Sequence, residues 1–242
     1  GCAFPEGPQG MLMARSISIL ADLPISTGGK VVNRFCGSSM DSVHQVSQAI
    51  IAGDIKSGIA SGVEDMFTVP MGGFVPDFNE QLNEKEFYIG MGETAENLAK
   101  ELDINREDQE DFSILSHKKA LDAIKNGKFD NEIIPIEFNE QTFKRDEGPR
   151  TPDIDKMKSL SPAFDVKGSI TAATSSPISL GASAILIGNQ DMINDSNSAF
   201  EIISRSIAGV DWKTMGEGPL PATEKALKNS GLSLSDIDII EL

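Results

Sequence analysis

Cys36 stands where residues 30–53 change character. Val31 and Val32 lead as a short apolar run, and from Ser38 onward Met40, Val43, Ser47 and Ile50 recur at helical spacing, with Gly53 placed to stop the helix. A cysteine just ahead of a helix lies beside unpaired N–H groups and the positive end of the helix dipole, which favours thiolate over thiol. The tight turn that Gly37 permits also aims a backbone N–H at whatever the sulfur attacks, half of an oxyanion hole. The chemistry this supports is nucleophilic attack on an acyl carbon. The same pattern fits a buried cysteine in a strand-to-helix corner, and the local residues leave both readings open.

A thiol nucleophile wants a base within hydrogen-bond reach. His44 lies on the same helix, about 12 Å further along the axis and about 80° around it, so it cannot touch the sulfur. His117, in a Ser-His-Lys-Lys run, reads as a structural residue of a surface helix. The residues therefore offer a nucleophile and no visible base. Glu64 follows the strand-like run 56–63 at its carboxyl end, where ligands gather in parallel sheets. It is a candidate acid or base, but a carboxylate that faces solvent or pins a loop suits the position better.

The elements that must hold these residues follow from periodicity. Residues 11–23 form an amphipathic helix with Met13, Ile17, Leu20 and Ala21 together, then Gly28-Gly29 turn the chain into the Cys36 unit. The order 31–32, helix, 56–63 is β-α-β and predicts a parallel sheet. Residues 70–83 are loop. Two helices follow, one from Met91 with Ala95, Leu98, Ala99 and Leu102 on a face, and one from Arg106 to Asn126, capped by Asn105 and stopped by Gly127. Phe112, Ser116, Ala120 and Ala123 share an arc of the second. Residues 131–138 are extended, and 141–159 are a polar excursion without strong periodicity. Strands are expected at 169–173, 182–187, 201–206 and 236–242, with a helix from Pro221 to Gly231. The Asn/Asp/Ser-rich run 191–198 reads as the boundary between parts. Cys2 is expected as a buried strand residue.

Totals narrow the partners. A net charge of −16 argues against nucleic acid or an anionic membrane as partner. No apolar run is long enough to span a bilayer and no signal peptide opens the chain, so a cytoplasmic, reducing setting is expected. Two cysteines without a C-x-x-C and two histidines give no metal-ligand cluster, so no metal is expected. Between positions 144 and 167, six basic residues (Lys144, Arg145, Arg150, Lys156, Lys158, Lys167) face five acidic ones (Asp146, Glu147, Asp153, Asp155, Asp165), a local charge of +1. A phosphate-bearing ligand prefers that neighbourhood, although mixed charge on a solvated loop explains it equally. The chain opens on Gly1-Cys2-Ala3 without methionine and stops on an apolar strand-like run, and it reads as a fragment cut at both ends.

Several stretches together are familiar. Val32-Asn-Arg-Phe-Cys-Gly-Ser-Ser-Met40 resembles the nucleophile motif of the thiolase family. Gly62-Val-Glu-Asp-Met66, Met91-Gly-Glu-Thr-Ala-Glu-Asn97, the helix with Asp108-Gln-Glu-Asp-Phe112 and Ser116-His117, Leu160-Ser-Pro-Ala-Phe164, Thr171-Ala-Ala-Thr-Ser-Ser176 and Met215-Gly-Glu-Gly-Pro219 follow in family order. The Cys-Gly-Ser-Ser-Met form, His44 and the Thr-Ser-Ser turn most resemble the degradative 3-ketoacyl-CoA thiolases of fatty-acid β-oxidation, with biosynthetic acetoacetyl-CoA thiolases as the near alternative. The resemblance implies an α/β fold of the thiolase kind, mixed sheets with helices in layers. Residues 1–69 and 166–192 would form an N-terminal core, 70–165 a loop domain covering coenzyme A, and 199–242 the start of a C-terminal domain.

The resemblance also implies roles. Cys36 attacks the 3-keto carbonyl of a 3-ketoacyl-CoA, acetyl-CoA leaves, and coenzyme A, a co-substrate, takes the shortened acyl group off the sulfur. Ser176 matches a serine that bonds the pantetheine arm, and Met91, Phe164 and Met215 match the apolar lining of the same tunnel. Arg150 lies near an arginine at the adenine and phosphate end, with one residue deleted between it and Phe164. A homodimer or larger oligomer and a hydratase/dehydrogenase partner subunit of β-oxidation are implied for the intact enzyme. Departures are equally specific. Leu180 replaces the usual Asp before Gly-Ala, and the chain stops before the family's Asn-Glu-Ala-Phe, Gly-His-Pro and Cys-x-Gly stretches, so as it stands it is expected to bind poorly and turn over negligibly. Two other readings are a non-catalytic acyl-CoA-binding protein of the same fold and a cysteine hydrolase, the latter weakened by the missing histidine.

Overall fold

A computed structural model describes residues 1–193 and 199–242. The chain divides into two compact units, Gly1–Asn79 with Ile178–Ile207 and Thr223–Leu242, and Glu80–Pro177 with Ala208–Ala222. The division at 191–198 expected from composition lies largely outside the described residues.

The first unit is built on one strand pair. β1 (Ser57–Asp65) runs antiparallel to β4 (Leu180–Gly188), from Ser57 opposite Gly188 to Asp65 opposite Leu180. Antiparallel pairing corrects the parallel sheet expected from the β-α-β order. The place beside β1 where residues 31–32 were expected is taken by the first residues of the chain. The Gly1 amine donates to Ser61 O at 2.7 Å and Val63 N–H to Gly1 O at 3.1 Å, while Cys2 N–H reaches Val32 O at 3.0 Å. Val32 is buried as expected, but that single bond leaves its segment extended rather than a strand.

α1 (Met13–Leu20) is shorter than the expected 11–23, since Met11 and Leu12 take left-handed φ of 53° and 55°, and its buried residue is Ser18 while Leu20 is exposed. α2 (Ser38–Ala52) keeps its expected bounds, and Gly53 closes it in the left-handed conformation at φ 82°. The buried face of α2 is not the one the apolar spacing indicated. Ser38, Asp41, Ser42 and Ser47 are buried, whereas Met40 is 68% exposed. The cause is the strand beneath. Positions 58, 60 and 62 share one face of β1 and are Gly, Ala and Gly. So flat a surface lets the helix come close, and only small side chains fit between. Ser42 Oγ donates to Ser61 O at 3.2 Å, and a Cβ at Gly58 would stand 2.9 Å from Val46.

The second unit contains α3 (Glu80–Glu84), α4 (Met91–Glu101), α5 (Arg106–Lys125), the hairpin β2 (Ile136–Phe138) with β3 (Gln141–Phe143), and α6 (Ile154–Ser159). Asn105 caps α5 by accepting Asp108 N–H at 3.0 Å, as its sequence signature requires. The arc led by Phe112 is not the buried one. Phe112 is 75% exposed, and the buried residue of α5 is Glu110, paired with Arg106 at 2.7 Å. On α4, Thr94, Glu96 and Ala99 are buried and Leu102 is exposed.

α7 (Gln190–Ile193) and α8 (Pro219–Ser230) complete the helices, α8 close to its expected span with Gly231 at φ 73°. Residues 169–173, 201–206 and 236–242 are not strands. None finds a ladder partner among the described residues, and the last is led by a 3-10 turn, Leu234–Asp236. Within residues 209–218, Trp212–Glu217 form a 3-10 helix. Apolar burial is sparse: the chain exposes 18121 Å², against about 13,000 Å² for two separate compact units of half its mass.

Candidate functional site

Cys36 sits in the turn that launches α2, and its side chain is exposed. Four short bonds shape the turn. Gly37 N–H donates to Arg34 O and Ser38 N–H to Phe35 O, each at 3.0 Å, and Arg34 N–H donates to Ser38 Oγ at 2.8 Å. Asn33 Oδ1 accepts Phe35 N–H at 2.9 Å while its Nδ2 donates to Ala3 O, tying the turn to residues lying against β1. Phe35 is held at φ 44°, a conformation that costs a β-carbon residue about 1–3 kcal/mol and recurs at functional sites. Its ring packs on Phe4 at 5.8 Å between centroids. The turn is thus over-determined from both sides, and it presents a sulfur to solvent at the positive end of a fifteen-residue helix.

His44 rides on α2 and is half-buried; burial pushes its imidazole below the ordinary range, Asp41 opposing and Arg205 and Arg34 adding to the shift. A neutral imidazole two turns down the helix supplies Cys36 with no direct base. Glu64 is the loop-pinning carboxylate. It accepts Ala3 N–H at 2.6 Å, Phe4 N–H at 3.3 Å and Gln9 Nε2 at 3.0 Å. Gln9, which the sequence reading passed over, also accepts Asp65 N–H at 2.6 Å. Cys2 is 1% exposed, and burial with the Glu64 charge beside it pushes its thiol up. Leu180, the departure noted above, pairs with Asp65 at the start of β4 and is exposed.

In the second unit three of the five residues matched to a coenzyme A site gather on α4. The Phe164 ring lies against Gly92, so close that a side chain at 92 would have no room. Met91 opens the helix beside it. Met215 lies between Lys213, whose carbonyl accepts Asn97 Nδ2 at 3.0 Å, and Gly216, where a Cβ would stand 2.7 Å from Leu98. All three apolar side chains are about half exposed. Ser176 is exposed on the turn after Thr171, a turn that Thr174 and Ser175 bond internally. Arg150 is exposed, and its backbone N–H donates to His117 Nδ1 at 3.3 Å. Neither is brought to α4 by a contact within the unit.

Sequence reasoning missed the residues that seat the Met215 segment. Trp212 meets Phe87 in a tilted ring contact at 6.0 Å and 58°, Phe87 meets Tyr88 edge-on at 5.5 Å, and Lys213 pairs with Glu86. That pairing holds the Glu86 carboxyl low and the Lys213 amine high. The chain's one tryptophan, placed in an otherwise polar run, was the available signal. Among the described residues no His, Cys, Asp or Glu cluster fits a metal ion, and no helix is long and apolar enough to cross a membrane.

Comparison with known proteins supplies the lineage. Residues 1–191 match the family described as thiolase, N-terminal domain. The 3-ketoacyl-CoA thiolase of Bacillus subtilis (strain 168) is 40% identical over 262 aligned positions, covering 100% of this chain and 66% of the relative. That of Alcanivorax borkumensis is 41% identical, covering 100% and 64%. The solved structure of an acetyl-CoA acetyltransferase from Syntrophomonas wolfei superposes with a TM-score of 0.84 at 29% identity, over 96% of this chain and 63% of its own. The chain spans about two-thirds of the length of these relatives. The α/β architecture is the thiolase one, and the chain belongs to the thiolase family.

Proposed function

We propose that the chain is the nucleophile-bearing part of an acetyl-CoA C-acyltransferase that cleaves a 3-ketoacyl-CoA with coenzyme A. The observation that carries this reading is the exposed thiol of Cys36 on a strained turn at the start of α2. The Cys36 thiolate adds to C3 of the substrate, the C2–C3 bond breaks, and the electron pair left on C2 takes a proton to give acetyl-CoA. The shortened acyl group stays on sulfur as a thioester. The thiolate of a second coenzyme A attacks that thioester, Cys36 leaves as thiolate, and the product is an acyl-CoA two carbons shorter. The Cys36 backbone N–H suits the oxyanion of that second step. The proton of the resting thiol goes to a base outside α2, because His44 is out of reach.

Met91, Phe164 and Met215 suit the apolar arm of coenzyme A, Ser176 its amide groups, and Arg150 its phosphates, in a stretch with a local excess of positive charge. By role, residues 1–69 with 166–192 form the core, 70–165 the part that covers coenzyme A, and 199–242 the opening of a second domain. Residues 166–177 and 208–222 pack with the coenzyme-covering part. A cytoplasmic homo-oligomer working with a β-oxidation hydratase/dehydrogenase completes the reading. Incubating the intact protein with a 3-ketoacyl-CoA and mapping acyl mass by peptide mass spectrometry tests it. Acyl mass on Cys36 is the expected result, and acyl mass on Cys2 or on no residue overturns it. The likeness to an acetyl-CoA acetyltransferase favours a second reading, the biosynthetic direction, which predicts turnover confined to acetoacetyl-CoA.

A further inference from the structure

The segment that carries Met215 departs from its neighbours in sequence. Residues 208–222 pack with the second unit, while the residues before and after belong to the first. Its hold on the second unit is made at defined points. Asn97 Nδ2 reaches Lys213 O at 3.0 Å, and Gly216 lies so close to Leu98 that a Cβ there would need the leucine to shift. Those contacts fix the segment on α4. A second set fixes it on the chain just before α4, through the Trp212–Phe87 ring contact and the Lys213–Glu86 ion pair. Asp211 adds a side-chain cap by accepting Lys213 N–H at 2.8 Å.

Thr214 interrupts the helical path with φ −128° and ψ 33°, which puts a kink between the Trp212 anchor and Met215. Seven residues at 100° each bring Leu98 back within about 20° of Met91 around the helix. The face of α4 that meets Gly216 is therefore the face that begins with Met91. A residue that fixes the entry of this segment fixes where Met215 stands relative to that face.

We infer that Trp212, clamped on Phe87 and flanked by the Lys213–Glu86 pair, is a positioning residue that holds Met215 on the Met91 face of α4 for the apolar arm of coenzyme A. This rests on the reading that Met91, Phe164 and Met215 line that arm. The ring contact gives this turn an apolar anchor on the chain just before α4, with Trp212 left 37% exposed.

The experiment separates the clamp from the ligand. Trp212 is the one tryptophan in this chain, so its emission reports the clamp directly. Phe87→Ala is expected to red-shift that emission and raise its quenching by acrylamide; unchanged emission and quenching overturn the clamp whatever the protein binds. Equilibrium binding to the intact protein is then compared for coenzyme A and for adenosine 3′,5′-bisphosphate, which has the phosphates and lacks the arm. Trp212→Ala is expected to weaken coenzyme A by about tenfold, the scale of losing apolar contact in a pocket, and the bisphosphate by less than about twofold. Trp212→Phe should restore most of the loss. Equal weakening of both probes marks a merely structural role and overturns the proposal. Failure of the unsubstituted intact protein to bind coenzyme A, with the Phe87→Ala spectral shift intact, overturns the arm-lining reading while leaving the clamp established.

Discussion

Glu96 Oε1 accepts the backbone N–H of Ile170 at 2.8 Å, and the same carboxylate takes Ser169 N–H at 3.0 Å. Both donors lie seventy-odd residues from α4 in sequence, and Glu96 itself is 3% exposed. Removing a charged acceptor strands two main-chain donors away from water. Glu96→Ala should therefore destabilise the second unit by about 3 kcal/mol, and Glu96→Gln, which keeps one acceptor, by less. Urea denaturation followed by circular dichroism measures both. Equal midpoints for the three proteins would show that the loop at 168–171 is held by something else.

The two thiols should behave as opposites. Cys36 is exposed, whereas Cys2 is enclosed and its thiol is pushed up by burial. At neutral pH, iodoacetamide should add one label, on Cys36, with Cys2 labelled only after denaturation. Cys36→Ser should abolish the fast label. Two labels appearing at one rate would contradict the packing of residues 1–4 against β1.

His44 gives the first unit a pH dependence. Burial holds its imidazole below the ordinary 6.5. Above that value both folded and unfolded chains carry it neutral, and the fold keeps its full advantage. As pH falls through 6.5 the unfolded chain gains a proton that the folded one declines, so stability drops until the folded value is passed. Denaturation midpoints should decline as pH falls through 6.5, and His44→Gln should flatten that decline. The carboxylates held low by hydrogen bonds, Asp65 and Asp165, lose their contribution only at lower pH.

Gly62 sets how near α2 approaches β1. A Cβ there would press on Ser39, with the Ser39 Cβ at 2.8 Å. Gly62→Ala should cost about 1–3 kcal/mol by overpacking, and it should alter the alkylation rate of Cys36, three residues before Ser39. Pairing it with Ser39→Gly should recover part of the stability. A Gly62→Ala protein with unchanged stability and labelling would mean that the helix yields without moving the turn.

Elements governed by local rules were legible in the sequence. α2 begins after Cys36 and ends at Gly53, and α5 is capped by Asn105, because caps and left-handed stops act within a few residues. Glu64 was readable as a pinning group from its place at the end of a strand. The buried face of α2 was not, because it depends on Gly58, Ala60 and Gly62 in a different element, whose flatness selects serines over methionine. The antiparallel partner of β1 comes more than a hundred residues later, and residues 1–3 fill the place where the local order put residues 31–32. For the candidate site, Cys36 was singled out by its place just ahead of a helix, whereas Met91, Phe164 and Met215 were singled out only by a family pattern. Trp212 and Phe87 were missed because their contact joins stretches that share no local signal.

The second unit is discontinuous, since residues 208–222 belong with 80–177 although thirty residues of the first unit intervene. Anyone exchanging this region between homologues would naturally cut at the ends of the long excursion. Such a cassette would arrive with Phe87 and Asn97 facing a foreign segment. Swaps that carry both pieces together should express and ligate as well as their parents, whereas swaps of 80–177 alone inherit a mismatched seam along α4.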